Sequence, residues 1–315
     1  MQEAFVFDVN DGKQCHAATI QDVEDGLLLA CFAGPGEGSQ KTGIWGAEYR
    51  DGRWRNQRLL VDPLQPSGRR YPLWNPVFSR SGDGRLLLYY QVGPSPSRWW
   101  GAYIESVDEG ATWSQPRLLD SGRIGPVRGR PVVLPSGAML IPTSTENEVW
   151  RICFERSEDR GKTWSAHGPK ASSLPAIQPV LLIHGQAIQS LCRTTEGFLG
   201  ECWSFDEGRN WTDLRLTQIP ALDAAIDVVR ANDGRFLLLH NSGAAGRSVL
   251  IMSASTDGEQ WRPVHVLENG EGEFSYPCAC LTRCGDLHIA YTWRRKTIKH
   301  VSFTAEELRS LLDAV

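Results

Sequence analysis

Apolar residues in this 315-residue chain come in short runs, never in long helical stripes. A run of about four to eight, a turn rich in Gly, Asp or Asn, and a second run read as an antiparallel hairpin. The pattern occurs in six segments: "HAATIQDVEDGLLLACFAG" (16–34), "NPVFSRSGDGRLLLYYQVG" (75–93), "RPVVLPSGAMLIPTSTE" (130–146), "QPVLLIHGQAIQSLCRT" (178–194), "DAAIDVVRANDGRFLLLHNS" (223–242) and "YPCACLTRCGDLHIAYTWR" (276–294). A third apolar run follows each. Repeats of about fifty residues, each worth four strands, predict an all-β, six-bladed β-propeller filling residues 1–315 as one domain. The blades start near 16, 75, 130, 178, 223 and 276. The last repeat lacks its outer strand, and the alternation in "EAFVFDV" (3–9) is placed to supply it, closing the propeller with the N-terminal strand. At the other end, "TAEELRSLLDAV" (304–315) predicts a short helix, with Thr304 and Glu307 as a capping box and Leu308, Leu311, Leu312 and Val315 on one face.

Four of the third runs end in related boxes: "SVDEGATW" (106–113), "SEDRGKTW" (157–164), "SFDEGRNW" (204–211) and "STDGEQW" (255–261). The acid sits at the start of a tight turn, where a carboxylate accepts backbone N–H bonds. Gly supplies a left-handed φ, and Trp packs back over the turn. Four such acids on separate blades cannot share one substrate, so Asp108, Asp159, Asp206 and Asp257 read as turn formers. The first repeat keeps a remnant, "EYRDGRW" (48–54).

Charge narrows the function. Lys and Arg (33) are balanced by Asp and Glu (37), for a net −4, without a basic run. This excludes a nucleic-acid footprint, and no apolar stretch suits a membrane partner. The start lacks a basic head and a long apolar segment, which predicts a cytoplasmic protein. The eight cysteines form no paired zinc spacing and sit mostly in apolar runs, where a thiol packs as a small hydrophobe. Neither a metal nor a cofactor is expected.

Ser-x-Asp-x-Gly-x-Thr-Trp boxes on a six-bladed propeller resemble the Asp-box, or BNR, repeats of the sialidase (neuraminidase) superfamily, and the resemblance spans the whole chain. It implies a carbohydrate substrate bound at the starts of the inner strands and the ends of the second strands. It implies three arginines on the substrate carboxylate, a tyrosine–glutamate pair and an acid on a first-blade loop. Four positions match: Arg193, Arg247, Tyr276 as nucleophile or cation stabiliser, and Glu37 as the acid. Two depart. "CHAAT" puts His16 where the first arginine belongs, and "IQPVLL" puts Gln178 where the tyrosine's glutamate belongs. An amide takes no proton from a phenol of pKa about 10, so another carboxylate (Glu146, Asp227 or Glu273) has to reach Tyr276 if the tyrosine is to attack.

The remaining polar strand ends, Asn75, Arg130, Asp227 and Arg294, join Gln178 as candidate sugar-binding groups. His16 is a second candidate acid, with an unperturbed pKa near 6.5. Each also has a plain structural reading: a bonded core histidine or tyrosine, a solvated arginine, a loop acid. Trp99 and Trp100 are either a sugar platform or packing between blades. The resemblance implies an exo-glycosidase that hydrolyses an acidic sugar, sialic-acid-like or uronic. Two alternatives stand beside it: a lyase on the same scaffold, and a non-catalytic glycan-binding propeller.

Overall fold

The computed structural model describes residues 1–169, 173–242 and 246–314. The strands make six four-stranded sheets, the blades of a six-bladed β-propeller, with one α-helix at Ala305–Asp313. By internal contacts the chain divides into two compact units, Met1–Pro76 with Ile226–Val315, and Val77–Ala225.

The first unit holds three blades. Blade one is Gln14–Val23, Gly26–Gly34, Gly43–Arg50 and Arg53–Val61. Blade five is Asp227–Arg230, Phe236–Asn241, Val249–Ser255 and Arg262–Asn269. Blade six is Phe274–Leu281, Leu287–Trp293 and Thr297–Phe303, completed by Gln2–Phe5 from the start of the chain. The N-terminal strand therefore supplies the missing outer strand, pairing Gln2 with Ser302 through to Phe5 with Lys299. The inner and second strands are apolar on both faces because each is sandwiched between neighbouring sheets. Leu237, Leu239, Leu250 and Met252 of blade five pack with Ala279, Leu287, Ile289 and Tyr291 of blade six. The helix seals this core with Leu308 and Leu312, and Leu311 packs partly against it. Its capping box forms as expected: Glu307 N donates to Thr304 Oγ1 (3.2 Å) and Thr304 N to Glu307 Oε2 (2.9 Å). Val315, expected on the same stripe, lies outside the described residues.

The second unit holds the rest. Blade two is Leu73–Arg80, whose first residues belong to the other unit, with Leu86–Val92, Trp100–Ser106 and Arg117–Leu118. Blade three is Val132–Val133, Met139–Glu146, Trp150–Ser157 and Ser165–His167. Blade four is Ala176–His184, Ala187–Thr194, Phe198–Ser204 and Arg215–Pro220. All eight cysteines are free thiols, and only Cys153 and Cys284 are not buried.

The boxes are turns between third and fourth strands. Asp108 accepts from Thr112 N (2.9 Å) and Thr112 Oγ1 (2.6 Å), and Asp206 from Asn210 N (2.8 Å) and Asn210 Nδ2 (2.7 Å). The tryptophans close the turns from above: Trp164, Trp211 and Trp261 each donate Nε1–H to the carbonyl of their box glycine at 3.0–3.1 Å. At Gly208 the backbone has φ +82°, which any other residue would adopt under strain. Both carboxylate oxygens are thus engaged within the turn, as the repeat predicts.

These bonds set an acid limit on stability. Hydrogen bonds from the Thr112 side chain and backbone hold Asp108 down from its ordinary 3.8 to about 2. Asp159 is held to about 2 chiefly by Thr163 N, and Asp206 and Asp257 are also lowered. A carboxylate depressed in the folded state stabilises above its unfolded pKa and loses that contribution as pH falls through the folded value. The melting temperature should stay level down to about pH 4 and fall between there and about pH 2. Asp108→Asn should shallow that fall, by calorimetry across the range. An acid limb as steep as wild type would show the box charge to be idle.

Candidate active site

Several inner strands start on a local irregularity. In the first unit the pairing of the first two strands skips between His16 and Thr19 in blade one, and between Ser275 and Cys278 in blade six. The bulged residues Ala17 and Tyr276 have φ of +56° and +53°, and Asn75, third in the strand Leu73–Arg80, has +39°. Such bulges re-aim side chains at sheet rims. Non-glycine residues held there cost roughly 1–3 kcal/mol each. Asn75 and Tyr276 also precede proline, which narrows their backbone choices further. Neighbouring strands hold the bulges in place: Ala17 N donates to Thr292 Oγ1 (3.3 Å), and Asn241 Nδ2 to the Phe274 carbonyl (2.7 Å).

The bulges bring the His16 and Tyr276 rings into contact. Their ring centroids are 4.1 Å apart, tilted by 50°. His16 is buried, its Nδ1 is 2.8 Å from Thr292 Oγ1, and Phe32 packs edge-on at 5.3 Å. On Tyr276 also lies Arg247, its guanidinium carbon 5.4 Å from the ring centroid.

Glu273 organises the cations. It accepts from Arg247 Nη1 (2.9 Å), Arg295 Nε (2.9 Å) and Ser275 Oγ (2.6 Å). Burial alone would raise its pKa, but bonds from Arg295, Ser275 and Arg247 outweigh burial and leave it below the ordinary value. A carboxylate so held stays ionised and is a poor acceptor for a phenolic proton. Arg295 reaches on to Glu37 Oε2 (2.7 Å), tying the first-blade loop to blade six. Burial works against the Arg295 charge, and bonds to Glu273 and Glu37 outweigh it and raise its pKa.

Of the residues expected from sequence, His16, Tyr276, Arg247 and Glu37 thus fall into one connected cluster in the first unit. Asn75 is buried at its strand start. Asp227 is buried too, and its Oδ2 accepts from Ala279 N (2.8 Å), joining the inner strands of blades five and six. Arg294 turns outward over Trp293 (4.6 Å) and Phe274 (5.9 Å), and its neighbour Arg295 takes the place beside Glu273. Sequence reading passed over Arg295. The only signal was three consecutive basic residues, Arg294, Arg295 and Lys296, just past a strand end.

The second unit has its own polar cluster. Arg193 pairs with Asp223, donates Nη1–H to Gln178 Oε1 (3.1 Å) and lies 5.0 Å over Trp150. Gln178 sits on the same kind of bulge, φ +56°, with its N–H on Ser144 Oγ (3.1 Å). Arg130 is half-buried, two residues after the strained Arg128 at φ +141°. Among the described residues no group of three His, Cys, Asp or Glu is disposed to hold a metal ion.

The family model of the BNR repeat-like domain matches residues 25–289. No curated protein matches the chain. Among solved structures, a protein of unknown function from Dyadobacter fermentans superposes with a TM-score of 0.78 at 14% identity, over 96% of this chain and 97% of that one. The intramolecular trans-sialidase of Ruminococcus gnavus, in complex with oseltamivir carboxylate, gives 0.75 at 14% identity over 97% of each. The Trypanosoma rangeli sialidase with the inhibitor DANA gives 0.76 at 16% identity, over 95% of this chain but 56% of that one. At such identities the likeness carries the fold, a six-bladed propeller shared with solved sialidases, while the match over most of the length carries the family: the chain belongs to the BNR repeat-like family.

Proposed function

We propose that the protein is a carbohydrate-active enzyme that hydrolyses a glycosidic bond of an acidic sugar at the His16–Tyr276–Arg247 cluster. One observation carries this reading: a pre-proline tyrosine, held at a left-handed φ, with a tilted imidazole packed against it and a guanidinium above it. Strain of this kind persists where it aims a functional group. Arg247, oriented by Glu273, takes the substrate carboxylate, because a guanidinium fork matches a carboxylate in two bonds. Tyr276 stabilises or captures the positive charge that develops at the anomeric carbon. His16 gives a proton to the leaving oxygen as the bond breaks and takes up the phenolic proton as Tyr276 captures the carbon; water then attacks that carbon, Tyr276 leaves and recovers a proton, and His16 is reprotonated from the water. Glu37 and Arg295 hold the loop over the cluster. The Trypanosoma rangeli sialidase has been solved in complex with sialic acid, which supports an acidic sugar as the ligand class.

A second reading, elimination from a uronate, is favoured by one feature: the group against Tyr276 is an imidazole, and the nearest acid along the strand, Glu273, is engaged by two arginines. A tyrosine and a histidine are a sufficient acid–base pair for that chemistry.

The deciding experiment is turnover of sialosides, uronate oligosaccharides and their carboxyl-reduced counterparts. The reduced sugars should react at least about tenfold more slowly, the loss of one charge-assisted contact. Equal turnover of acid and alcohol would overturn the reading. Absorbance from a conjugated alkene would replace hydrolysis by elimination. Ordinary α-linked sialosides should be poor substrates, since His16 and Gln178 stand where an arginine and a glutamate serve such hydrolysis. A kcat/KM of about 10⁴ M⁻¹s⁻¹ or more on them would contradict that.

A further inference from the structure

Two seams in the second unit are built from equivalent residues, yet one is shut and the other open. Between blades three and four, the box tryptophan Trp211 stacks on Phe154, centroids 3.7 Å apart and 13° from parallel. Beside them Arg156 fills the seam, donating to the Glu207 carbonyl (2.8 Å) and pairing with Glu158. Between blades two and three, the corresponding residues are Trp164, Tyr103 and Glu105, by their offsets from the box serines. Here ring does not meet ring. The Arg123 guanidinium lies over Trp164 at 4.0 Å, held from behind by Glu155 at 2.8 Å. What remains is a cleft of about 480 Å³.

Its lining is unlike a packing defect. Leu87, Leu119 and Met139 supply apolar floor, and Tyr89, Tyr103 and Trp164 supply aromatic surface. Four arginines (Arg85, Arg117, Arg123 and Arg160) face two carboxylates, Asp83 and Glu105. Arg85 and Arg117 both pair with Glu105, at 2.5 and 3.0 Å. Arg117 is exposed by more than half, and Arg160 is exposed at the mouth. The cleft shares no lining residue with the cluster around Tyr276.

We propose that this cleft is a second binding site, for an acidic oligosaccharide. The arginines match a carboxylate or sulfate. The aromatic rings offer apolar faces for the C–H side of a sugar, while Asp83 and Glu105 accept from its hydroxyls. Those same carboxylates repel a densely charged polyanion, which makes nucleic acid a poor occupant. An acidic chain held here would be retained on the enzyme between cleavage events at the other site.

The test uses full-length Tyr276→Phe protein, so that bound chains are not consumed, and calorimetric titration with an oligogalacturonate. Arg117→Ala with Arg160→Asn should weaken this binding by about tenfold or more. Asparagine suits the left-handed φ of +61° at Arg160, so the fold is kept. The same pair in the wild-type background should leave turnover of a short substrate unchanged. Affinity should fall with added salt, and a carboxyl-reduced chain should not bind. Unchanged affinity in the paired variant, equal binding of the reduced chain, or tighter binding of single-stranded DNA would each overturn the proposal. Because binding is read apart from turnover, failure to find any substrate would count against the proposed activity and leave the cleft standing.

Discussion

Tyr276→Phe will lower kcat on the acidic-sugar substrate by about a hundredfold or more, with little change in melting temperature. The expectation follows from what the substitution removes. It deletes one hydroxyl and keeps the ring, which is what His16 and Arg247 pack against, at 4.1 and 5.4 Å. Positioned proton transfer contributes typically 10²–10⁴-fold, and none of it survives without the hydroxyl. His16→Ala should cost a comparable factor. If the two residues act as one proton-handling pair, the double variant will be hardly worse than either single one, because the second change removes a partner already idle. Multiplying losses would mean that the two serve separate steps. Arg247→Ala behaves differently: it should raise KM for the acid and bring acid and reduced sugar toward equal reactivity. A Tyr276→Phe protein with wild-type kcat would leave the tyrosine as core packing, which its buried ring would then suffice to explain.

The fold was legible because its signals are local and repeated. Short apolar runs, turn glycines and the Ser–Asp–Gly–Trp offsets recur along the chain, so one blade corroborates the next. The weakest element shows the limit of that logic. The third blade's inner strand, read from "RPVVLP", is only Val132–Val133. Prolines at 131 and 135 flank it, and each lacks a backbone donor for the ladder.

The site was legible in its residue types and less so in their arrangement. Tyr276, Asn75 and Gln178 each precede a proline at a strand start, and all three have positive φ. That local signal marks the bulges once its meaning is known. Arg294 and Arg295 expose the opposite case. Strand alternation would send neighbours to opposite faces, but both residues have positive φ, +53° and +57°, so the chain has left the strand and alternation no longer says which one turns inward. Glu273 was visible as a carboxylate near Tyr276, but not its partners, since Arg247 and Arg295 reach it from 26 and 22 residues away. The cleft between blades two and three had no sequence signal, because it depends on an arginine from a connecting segment displacing a ring contact that the next seam makes.

Deleting residues 1–10 will cause a large fall in melting temperature and aggregation at concentrations where the intact chain is clear. Gln2–Phe5 is the outer strand of blade six, and beyond it the chain is still bound to that blade. Val6 N donates to the Ile298 carbonyl (2.9 Å), and Thr297 Oγ1 to the Phe7 carbonyl (2.8 Å). Val6 is fully buried and Phe7 is 6% exposed, both packed in the core shared by blades one and six with Ala18, Ile20, Ala290 and Ile298. Burying two such side chains stabilises by about 3–6 kcal/mol together, against a net stability of roughly 5–15 kcal/mol for a typical domain. The deletion also uncovers the hydrogen-bonding edge of Thr297–Phe303, and an uncovered edge pairs with whatever strand it meets. The two effects separate experimentally. Phe7→Ala keeps the strand and removes only the buried ring, so it should lower the melting temperature without aggregation, whereas the deletion should do both. If the truncated protein melted like the intact one, the strand would be an ornament on blade six and not part of what holds it.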